Sequence, residues 1–341
     1  MDLRAGLVIA AMCAALLLSA DATAQSATSQ VTFGGTIDTY IGRQQLAGQA
    51  SAATVSPSGL TTSFWSISAV EDLGGGFKAQ AFLSAFMQPD TGSSGRYPGD
   101  AFLSRRASVG IAGAFGEISV GRMASPFFLT MVGFDPFAGG SLGPIFQHTY
   151  PGGQPLAAPM QVGDSSISNM INYQTPALHG IKLNASYGLS EQAGQGDNDR
   201  LGASLTYTNG PLAVAMAMER NKAQLDPGET RQDDAMLAAA YDFERGKGFL
   251  QIARHKKNSM DIEYWTSMVG ATVPIGAGNL LVAWGRTRYE AAALRKNRSS
   301  TTVVYDYVLS RRTDIYLGLE NDRITGASVG NSLFAGMRLR F

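Results

Sequence analysis

The segment Thr302–Glu320 reads TVVYDYVLSRRTDIYLGLE and contains two alternating runs around the short polar turn Ser310-Arg311-Arg312. One face of the two runs carries Val303, Tyr305, Tyr307, Leu309, Ile315, Leu317 and Leu319. A period of two residues predicts β-strands, because successive side chains of a strand point to opposite faces of the sheet. The segment is therefore predicted to be a β-hairpin with one uncharged, apolar face.

The same alternation recurs along the chain from about residue 30 to the C-terminus, in segments of about ten residues. Sixteen such segments are separated by spacers that take turns between short and long. The short spacers include Glu244-Arg245-Gly246 and Asn209-Gly210-Pro211. The long, polar spacers are predicted at about 44–60, 88–100, 123–166, 190–199, 221–231, 256–261, 288–298 and 323–331.

This rhythm of strands and spacers has a physical cause in a membrane. A sheet in lipid must close, because an open edge would leave unpaired backbone groups in hydrocarbon. Outer-membrane barrels have an even number of strands, short turns at one end and longer loops at the other. A soluble sandwich or propeller alternates too, but does not give the strict short–long rhythm. We therefore predict an all-β fold: a 16-stranded antiparallel transmembrane β-barrel.

The N-terminal residues 1–24 are predicted to be a secretory signal peptide, with the barrel formed by residues 25–341. Arg4 supplies the positive charge, an Ala- and Leu-rich run follows, and Ala22-Thr23-Ala24 is an A-x-A cleavage site. The only cysteine, Cys13, lies in this segment. Disulfides and thiolate metal sites are thus excluded from the mature chain, and no motif predicts a cofactor.

The overall composition excludes two further classes of protein. Lys+Arg and Asp+Glu both number 27, so the chain lacks the basic field of a nucleic-acid-binding protein. No run of about 18 apolar residues occurs, which excludes a helical membrane protein.

At the C-terminal end of the chain, Leu333–Phe341 alternates up to its final residue. A terminal Phe341 on such a strand resembles the signal read by the outer-membrane assembly machinery.

Several motifs, in order, resemble those of the general diffusion porins of Gram-negative bacteria, of the β-proteobacterial type. They are Val31–Asp38, Glu71–Ala79, Arg105–Ile111, Phe115–Arg122, Asn169–Pro176 and Tyr307–Tyr316. The resemblance implies a homotrimer of barrels in the outer membrane, through which ions and small hydrophilic solutes diffuse passively. It also implies that the third loop, about 123–166, folds into the lumen and narrows it.

The resemblance further implies that basic residues of the wall face acidic residues of the third loop. Arg106 is expected on the wall, because it lies opposite the Ala107, Val109 and Ile111 face, while parity leaves the direction of Arg122 open. Asp135 is the expected acid of the loop. The predicted lining set is Arg106, Arg122, Asp135, Asp38, Ser68 and Asn172.

This chain departs from the family where arginines are usual. Phe64 and Ser68 stand in the second strand and Asn172 in the sixth, at positions that often carry arginine in the family. We therefore expect weak charge selectivity.

The alternatives are an enzyme built on a barrel, for which the three separated histidines offer no constellation, and a plugged barrel whose external loops bind a partner. The external loops 44–60 and 221–231 are polar but short for that second purpose.

Overall fold

The computed structural model describes residues 29–150, 164–190, 199–222, 231–291 and 294–341, apart from the side chain of Leu294. The predicted signal peptide, with Cys13, lies outside the described residues. The strands are β1 (Gln30–Gln44), β2 (Ala52–Ser56), β3 (Phe64–Gly74), β4 (Phe77–Gln88), β5 (Ser93–Ser94), β6 (Arg106–Gly113), β7 (Gly116–Ala124), β8 (Ser166–Gln174), β9 (Ile181–Gly188), β10 (Arg200–Asn209), β11 (Leu212–Asn221), β12 (Gln232–Asp242), β13 (Lys247–Lys257), β14 (Ile262–Ile275), β15 (Gly278–Ala291), β16 (Leu294–Val308), β17 (Thr313–Ile324) and β18 (Gly330–Arg340).

Sixteen of these strands form one closed antiparallel barrel, as predicted, while the short β2 and β5 belong to the first two loops. Closure is made by β1, whose Thr36–Arg43 half pairs with β18 and whose Gln30–Thr36 half pairs with β3. The terminal Phe341 extends this seam, because its N–H donates to the carbonyl of Gly35 over 3.1 Å and its carbonyl accepts from the N–H of Gly35 over 3.1 Å.

Burial in this barrel is the reverse of that in a soluble protein. Along β1, Val31 is 72% exposed and Ile41 is 64% exposed, whereas Asp38 between them is fully buried. The same inversion continues in β17, where Leu317 and Leu319 are exposed and Glu320 is buried. An apolar outer face with polar groups inside is the pattern expected of a barrel in lipid. It confirms the face assignments made from the alternation of the sequence.

The described spacers confirm the predicted short turns but correct one of the predicted long spacers. Strand β3 ends at Gly74 and β4 begins at Phe77, as the short turn predicts. At the opposite end of the barrel, β15 runs to Ala291 and β16 begins at Leu294. The prediction of a long spacer at 288–298 is therefore wrong. Arg288 pairs with Asn297 and Glu290 with Arg295. The charged side chains of this segment suggested a loop. Backbone pairing nevertheless continues wherever both strands are extended, because charged side chains do not prevent it.

Two short helices stand in the described part of the third loop, α1 (Pro126–Gly133) and α2 (Pro144–Thr149). Ser125 caps α1, since its Oγ accepts from the N–H of Phe128 over 3.1 Å, and Pro126 begins the helix. Just before the loop, Gly121 has φ of +131° at a register shift between β7 and β8. A Cβ there would lie 2.2 Å from the carbonyl oxygen of Ala107, so this bulge requires glycine. Among the described helices, none has the length and apolar character needed to cross a membrane.

Candidate functional site

Helix α1 crosses from the end of β7 to the inner side of β10, β11 and β12, where it makes its contacts with the wall. Phe127 and Met131 are fully buried in this contact. Beyond it, on β13, the amide of Gln251 donates to the carbonyl of Met131 over 3.0 Å and to that of Phe134 over 2.8 Å. Gln251 thus binds two carbonyls at the C-terminal end of α1, where few partners remain within the helix, although the Met131 carbonyl also accepts from the N–H of Phe134 over 3.4 Å.

Helix α2 contacts the wall farther round the barrel, on β14, β15 and β16. His148 is buried there, with Nδ1 3.0 Å from Thr287 Oγ1 and Nε2 2.8 Å from Ser300 Oγ. Burial, assisted by the nearby Arg298 charge, lowers the pKa of His148 to about 3, so the ring is neutral at ordinary pH. The third loop is therefore fixed against two separate stretches of the inner wall.

A short segment of the first loop, Pro57–Ser63, also turns inward. The N–H of Thr61 donates to Asp38 Oδ2 over 2.8 Å, and the Tyr316 hydroxyl donates to Asp38 Oδ1 over 2.5 Å. On its other side the segment meets the third loop, where Ser141 Oγ donates to the carbonyl of Ser58 over 2.6 Å. Asp38 faces inward as predicted, but this segment covers it, so its carboxylate anchors the first loop.

A cavity of about 410 Å³ remains between these loops and the wall formed by β3, β4, β6, β7, β8 and β9. Its volume lies within the range of about 300–1,000 Å³ usual for sites that hold small molecules. Charged lining among the described residues consists of Arg96, Arg105, Arg106 and Glu117. The third loop contributes an apolar side made by Phe128, Leu129, Val132, Ala138 and Phe146.

Two adjacent arginines of the wall lie over aromatic rings. The guanidinium carbon of Arg105 is 3.8 Å from the ring centroid of Phe64, and that of Arg106 is 3.7 Å from Phe82. Arg106 Nε also donates to Ser108 Oγ over 2.8 Å, while one of its terminal nitrogens is 3.9 Å from Glu117 Oε1. Stacking restricts the guanidinium planes and leaves other N–H groups for a solute.

A third arginine, Arg96 of the second loop, is bound by two carboxylates. It contacts Asp100 over 2.8 Å and Asp164 over 2.8 Å. Asp164 also accepts from Arg122, whose Nε donates to the carbonyl of Ser104 over 2.8 Å. These groups form a latch, which we define as Arg96, Asp100, Arg122 and Asp164, between the second loop, the third loop and the wall.

Three residues that were predicted to line the pore, Arg122, Asp135 and Asp38, are instead bound by neighbouring groups. Arg122 is occupied in the latch and does not line the cavity, since it pairs with Ala107 and shares the outward parity of Val120. Asp135 is 4% exposed, and its carboxylate accepts from the N–H groups of Phe137 and Gly139 over 3.2 and 3.0 Å. Burial raises the pKa of Asp135 to about 6, although these two N–H groups oppose the rise. Asp135 shapes the turn of the loop, and Asp38 is covered as described above.

The remaining predicted residues fall on or beside the cavity. Arg106 and Asn172 line it. Ser68 is half-buried on β3 and pairs with Phe82 of β4, outside the lining. Sequence reasoning missed Arg105, whose parity puts it on the outer face. Since β6 begins only at Arg106, parity does not apply to the preceding residue, and the start of the strand was the missing signal.

The buried histidines do not form an accessible nucleophilic site. Ser300, which touches His148, donates to Asp322 Oδ1 over 2.7 Å and is fully buried. His255 contacts Asp234 Oδ1 over 2.7 Å and is also buried. Among the residues that the structure describes, no group of three or more His, Cys, Asp or Glu side chains is placed to hold a metal ion.

Comparison with known proteins gives consistent matches. A family model described as Gram-negative porin matches residues 10–327. Outer membrane porin protein 32 of Delftia acidovorans is 30% identical over 314 residues, covering 89% of this chain and 86% of that protein. An outer membrane porin protein of Bordetella pertussis is 26% identical over 371 residues, covering 89% of this chain and 91% of that protein.

Solved structures share the same barrel. The anion-selective porin from Comamonas acidovorans has a TM-score of 0.77 and 25% identity, covering 92% of this chain and 100% of that chain. A loop L8 deletion mutant of OmpT, an outer membrane protein of Vibrio cholerae, has a TM-score of 0.70 at 15% identity, covering 92% of this chain and 99% of that chain. The second likeness concerns the fold alone.

Proposed function

This chain belongs to the Gram-negative porin family, and from that membership we propose that solutes cross its barrel through the cavity beside the third loop. It is an outer membrane porin that forms a channel for passive diffusion of ions and small hydrophilic solutes. The observation that carries the proposed route is the 410 Å³ cavity between Arg105, Arg106 and α1. The loop at about 123–166 narrows the lumen there, with Arg106 and Asn172 in the lining.

The proposed charge selectivity is a weak preference for anions. Glu117 stands 3.9 Å from Arg106, and the Arg96 charge is offset by Asp100 and Asp164. Among the described lining residues, Arg105 is then the cation without an ion-pair partner within 4.0 Å. The Comamonas porin is named anion-selective, and the expectation for this chain is a smaller preference, because Phe64 and Ser68 stand where arginines are usual.

Single-channel recording of the refolded protein in a planar bilayer tests this function. Stable steps in KCl and a small reversal potential toward the anion side under a salt gradient are expected. Arg105→Gln should bring that potential close to zero, whereas Arg254→Gln, at an exposed external pair with Glu263, should leave it unchanged. A folded protein without conductance would contradict the open pore and favour the plugged barrel, and a strong anion selectivity would contradict the weak preference.

The proposed homotrimer would use an outer depression of about 560 Å³ across β1, β3, β4, β6 and β7. Small outward residues, Ala69, Ala79 and Ala81, form its floor, and larger ones such as Val31 and Val109 form its sides. Such a concave apolar surface suits the side chains of a second copy, because close packing against it buries more area than disordered lipid chains would. The resemblance to general diffusion porins implies the same assembly.

We also propose export through the cleaved signal peptide 1–24 and recognition of Phe341 by the outer-membrane assembly machinery. In support, Phe341 stays 40% exposed, with its ring 5.7 Å from that of Phe33 on the outer face. Deleting Phe341 should lower the amount of barrel in the outer membrane of expressing cells, whereas Val329→Ala in an external loop should not. Equal amounts would contradict the signal role. No enzymatic activity is proposed for the barrel.

A further inference from the structure

Helix α1 has one polar side chain, Thr130, whose Oγ1 donates to the carbonyl of Pro126 over 2.8 Å, and its other side chains are apolar, although only one side packs against the wall. Its sequence is PFFLTMVG, with no charged residue. Phe127 and Met131 face the wall and are buried, whereas Phe128, Leu129 and Val132 line the cavity. Leu129 is 46% exposed there.

A helix surface that faces water normally carries polar residues, and a helix apolar all round is normally buried on every side. Docking of α1 to the wall explains Phe127 and Met131, but it does not explain Leu129. Phe128, Leu129 and Val132 together form a contiguous apolar surface in the cavity, and contiguous apolar surfaces in contact with water are typical of binding sites. The cavity side of α1 therefore points to a solute with an apolar part.

The opposite side of the same cavity is cationic. Arg105 and Arg106 lie on Phe64 and Phe82, with their planes held by the rings. Ser84 takes one Arg105 donor over 3.3 Å, and Ser108 takes one Arg106 donor over 2.8 Å. An arginine has five N–H donors, so both can still bind a carboxylate. Within the described lining, Glu117 is the one carboxylate that competes.

We propose that this constriction favours organic monocarboxylates with an apolar body, such as aryl carboxylates, over hydrophilic anions. The carboxylate binds at Arg105 and Arg106, and the apolar body lies against Leu129, Val132 and Phe128. This preference rests on the proposed pore and names its solute class. It is compatible with weak selectivity among inorganic ions, because the preference comes from charge and apolar contact together.

The experiment compares benzoate with acetate by reversal potential under bi-ionic conditions, in single channels of the full chain. Benzoate is the larger ion, so a neutral water-filled pore would pass it more slowly than acetate. We expect the wild type to favour benzoate, and Leu129→Asn to lower the benzoate-to-acetate ratio about two- to fivefold. Val329→Asn, which changes an exposed apolar residue of an external loop, is the matched control and should keep the ratio.

A second measurement needs no variant: benzoate added to KCl should reduce the wild-type chloride current more than acetate at equal concentration. Benzylammonium should not reproduce the effect, since it carries the opposite charge. A benzoate-to-acetate ratio equal to that of free diffusion would overturn the preference, as would an unchanged ratio in Leu129→Asn, which would mean that another segment covers α1. Absence of any KCl conductance would instead overturn the pore itself.

Discussion

At the scale of the residue, charges inside this barrel are held by near neighbours on several strands and loops. Arg298 is 1% exposed and its Nε donates to Asp322 over 2.9 Å, while Asp322 also accepts from Ser300 and from the N–H of Ala47. A buried charge of this kind is tolerable only when its hydrogen bonds are made. Such fully bonded charges fix the inner surface. Arg105 and Arg106 differ from them, because some of their N–H donors remain directed to the cavity.

The latch predicts an acid-sensitive stability centred on Asp164. Burial opposes its ionisation, but the hydrogen bond and charge of Arg96 and the charge of Arg122 lower the pKa of Asp164 from 3.8 to about 2. Because the folded pKa is the lower one, the ionised form stabilises the fold above about pH 4, and this contribution is lost as the pH falls toward about 2.

The temperature at which the detergent-solubilised barrel unfolds, followed by circular dichroism from pH 6 to pH 2, measures this contribution. Asp164→Asn should unfold at a lower temperature than the wild type at pH 6 and should lose less stability on acidification. Asp261→Asn, at an exposed side chain, is the control and should follow the wild type. Parallel curves for the wild type and Asp164→Asn would contradict the assignment.

At the scale of the element, the described part of the third loop, up to residue 150, contains two helices that pack against the inner wall. Helix α1 depends on Gln251 at its C-terminal end, and α2 depends on the contacts of His148 with Thr287 and Ser300. Small buried residues of β11, β12 and β13, such as Ala217, Ala238 and Ala253, belong to the same apolar cluster as α1. These alanines make room for the helix, which is why the loop can lie inside the barrel.

Replacement of Gln251 by Leu keeps the volume but removes both hydrogen bonds to α1. The carbonyl of Met131 then keeps only the N–H of Phe134 over 3.4 Å, and that of Phe134 loses its bond to Gln251. A buried carbonyl left unpaired costs about 1–3 kcal/mol, which favours partial release of the helix from the wall. We expect noisier open-channel current and a changed mean conductance in Gln251→Leu, with the barrel still folded on a gel without heating. Ile252→Leu, at the neighbouring outward position, is the control and should leave the open-channel current unchanged. If Gln251→Leu showed the same current noise and mean conductance as the wild type, the helix would not need this support.

At the scale of the whole molecule, the seam between β1 and β18 closes the barrel, and its outer face is the surface available to lipid and to a second copy. The seam between β1 and β18 brings the two ends of the barrel sheet together, and the outer face presents an apolar surface interrupted by the alanine depression. Elsewhere on the outer face, along β12, β14 and β17, larger side chains such as Leu237, Val269 and Leu317 are exposed. The depression is therefore the proposed site for a second copy, whereas the surface of those three strands suits lipid.

Ala81→Arg should prevent formation of the proposed trimer by placing a charge and a long side chain in the depression. Leu237→Arg is the matched control, because it places the same charge on the outer face of β12, away from the depression. Each arginine on a lipid-facing position costs up to about 2–4 kcal/mol, so the comparison isolates assembly from insertion. Light scattering of the detergent complexes should give monomers for Ala81→Arg and trimers for Leu237→Arg; trimers for both would contradict the proposed interface.

The alternating sequence by itself determined the fold class, the number of barrel strands and the two faces of each strand, because pleating gives every strand a period of two. Val31, Ile41 and Leu317 were placed correctly on the outside by that rule alone. The rule also placed Arg106 inside. It could not place Arg105, since that residue precedes the strand, nor could it show that residues 288–298 continue as paired strand.

Only the tertiary structure decided which charges face the cavity. Asp135 and Asp38 were reasonable acids from the sequence, but backbone N–H groups of distant or later residues bind their carboxylates. Asp164 contacts Arg96, which is 68 residues away in the chain, and no local pattern encodes that contact. The exposed apolar side of α1 likewise exists only because the helix lies against one wall of the barrel and leaves a cavity on its other side.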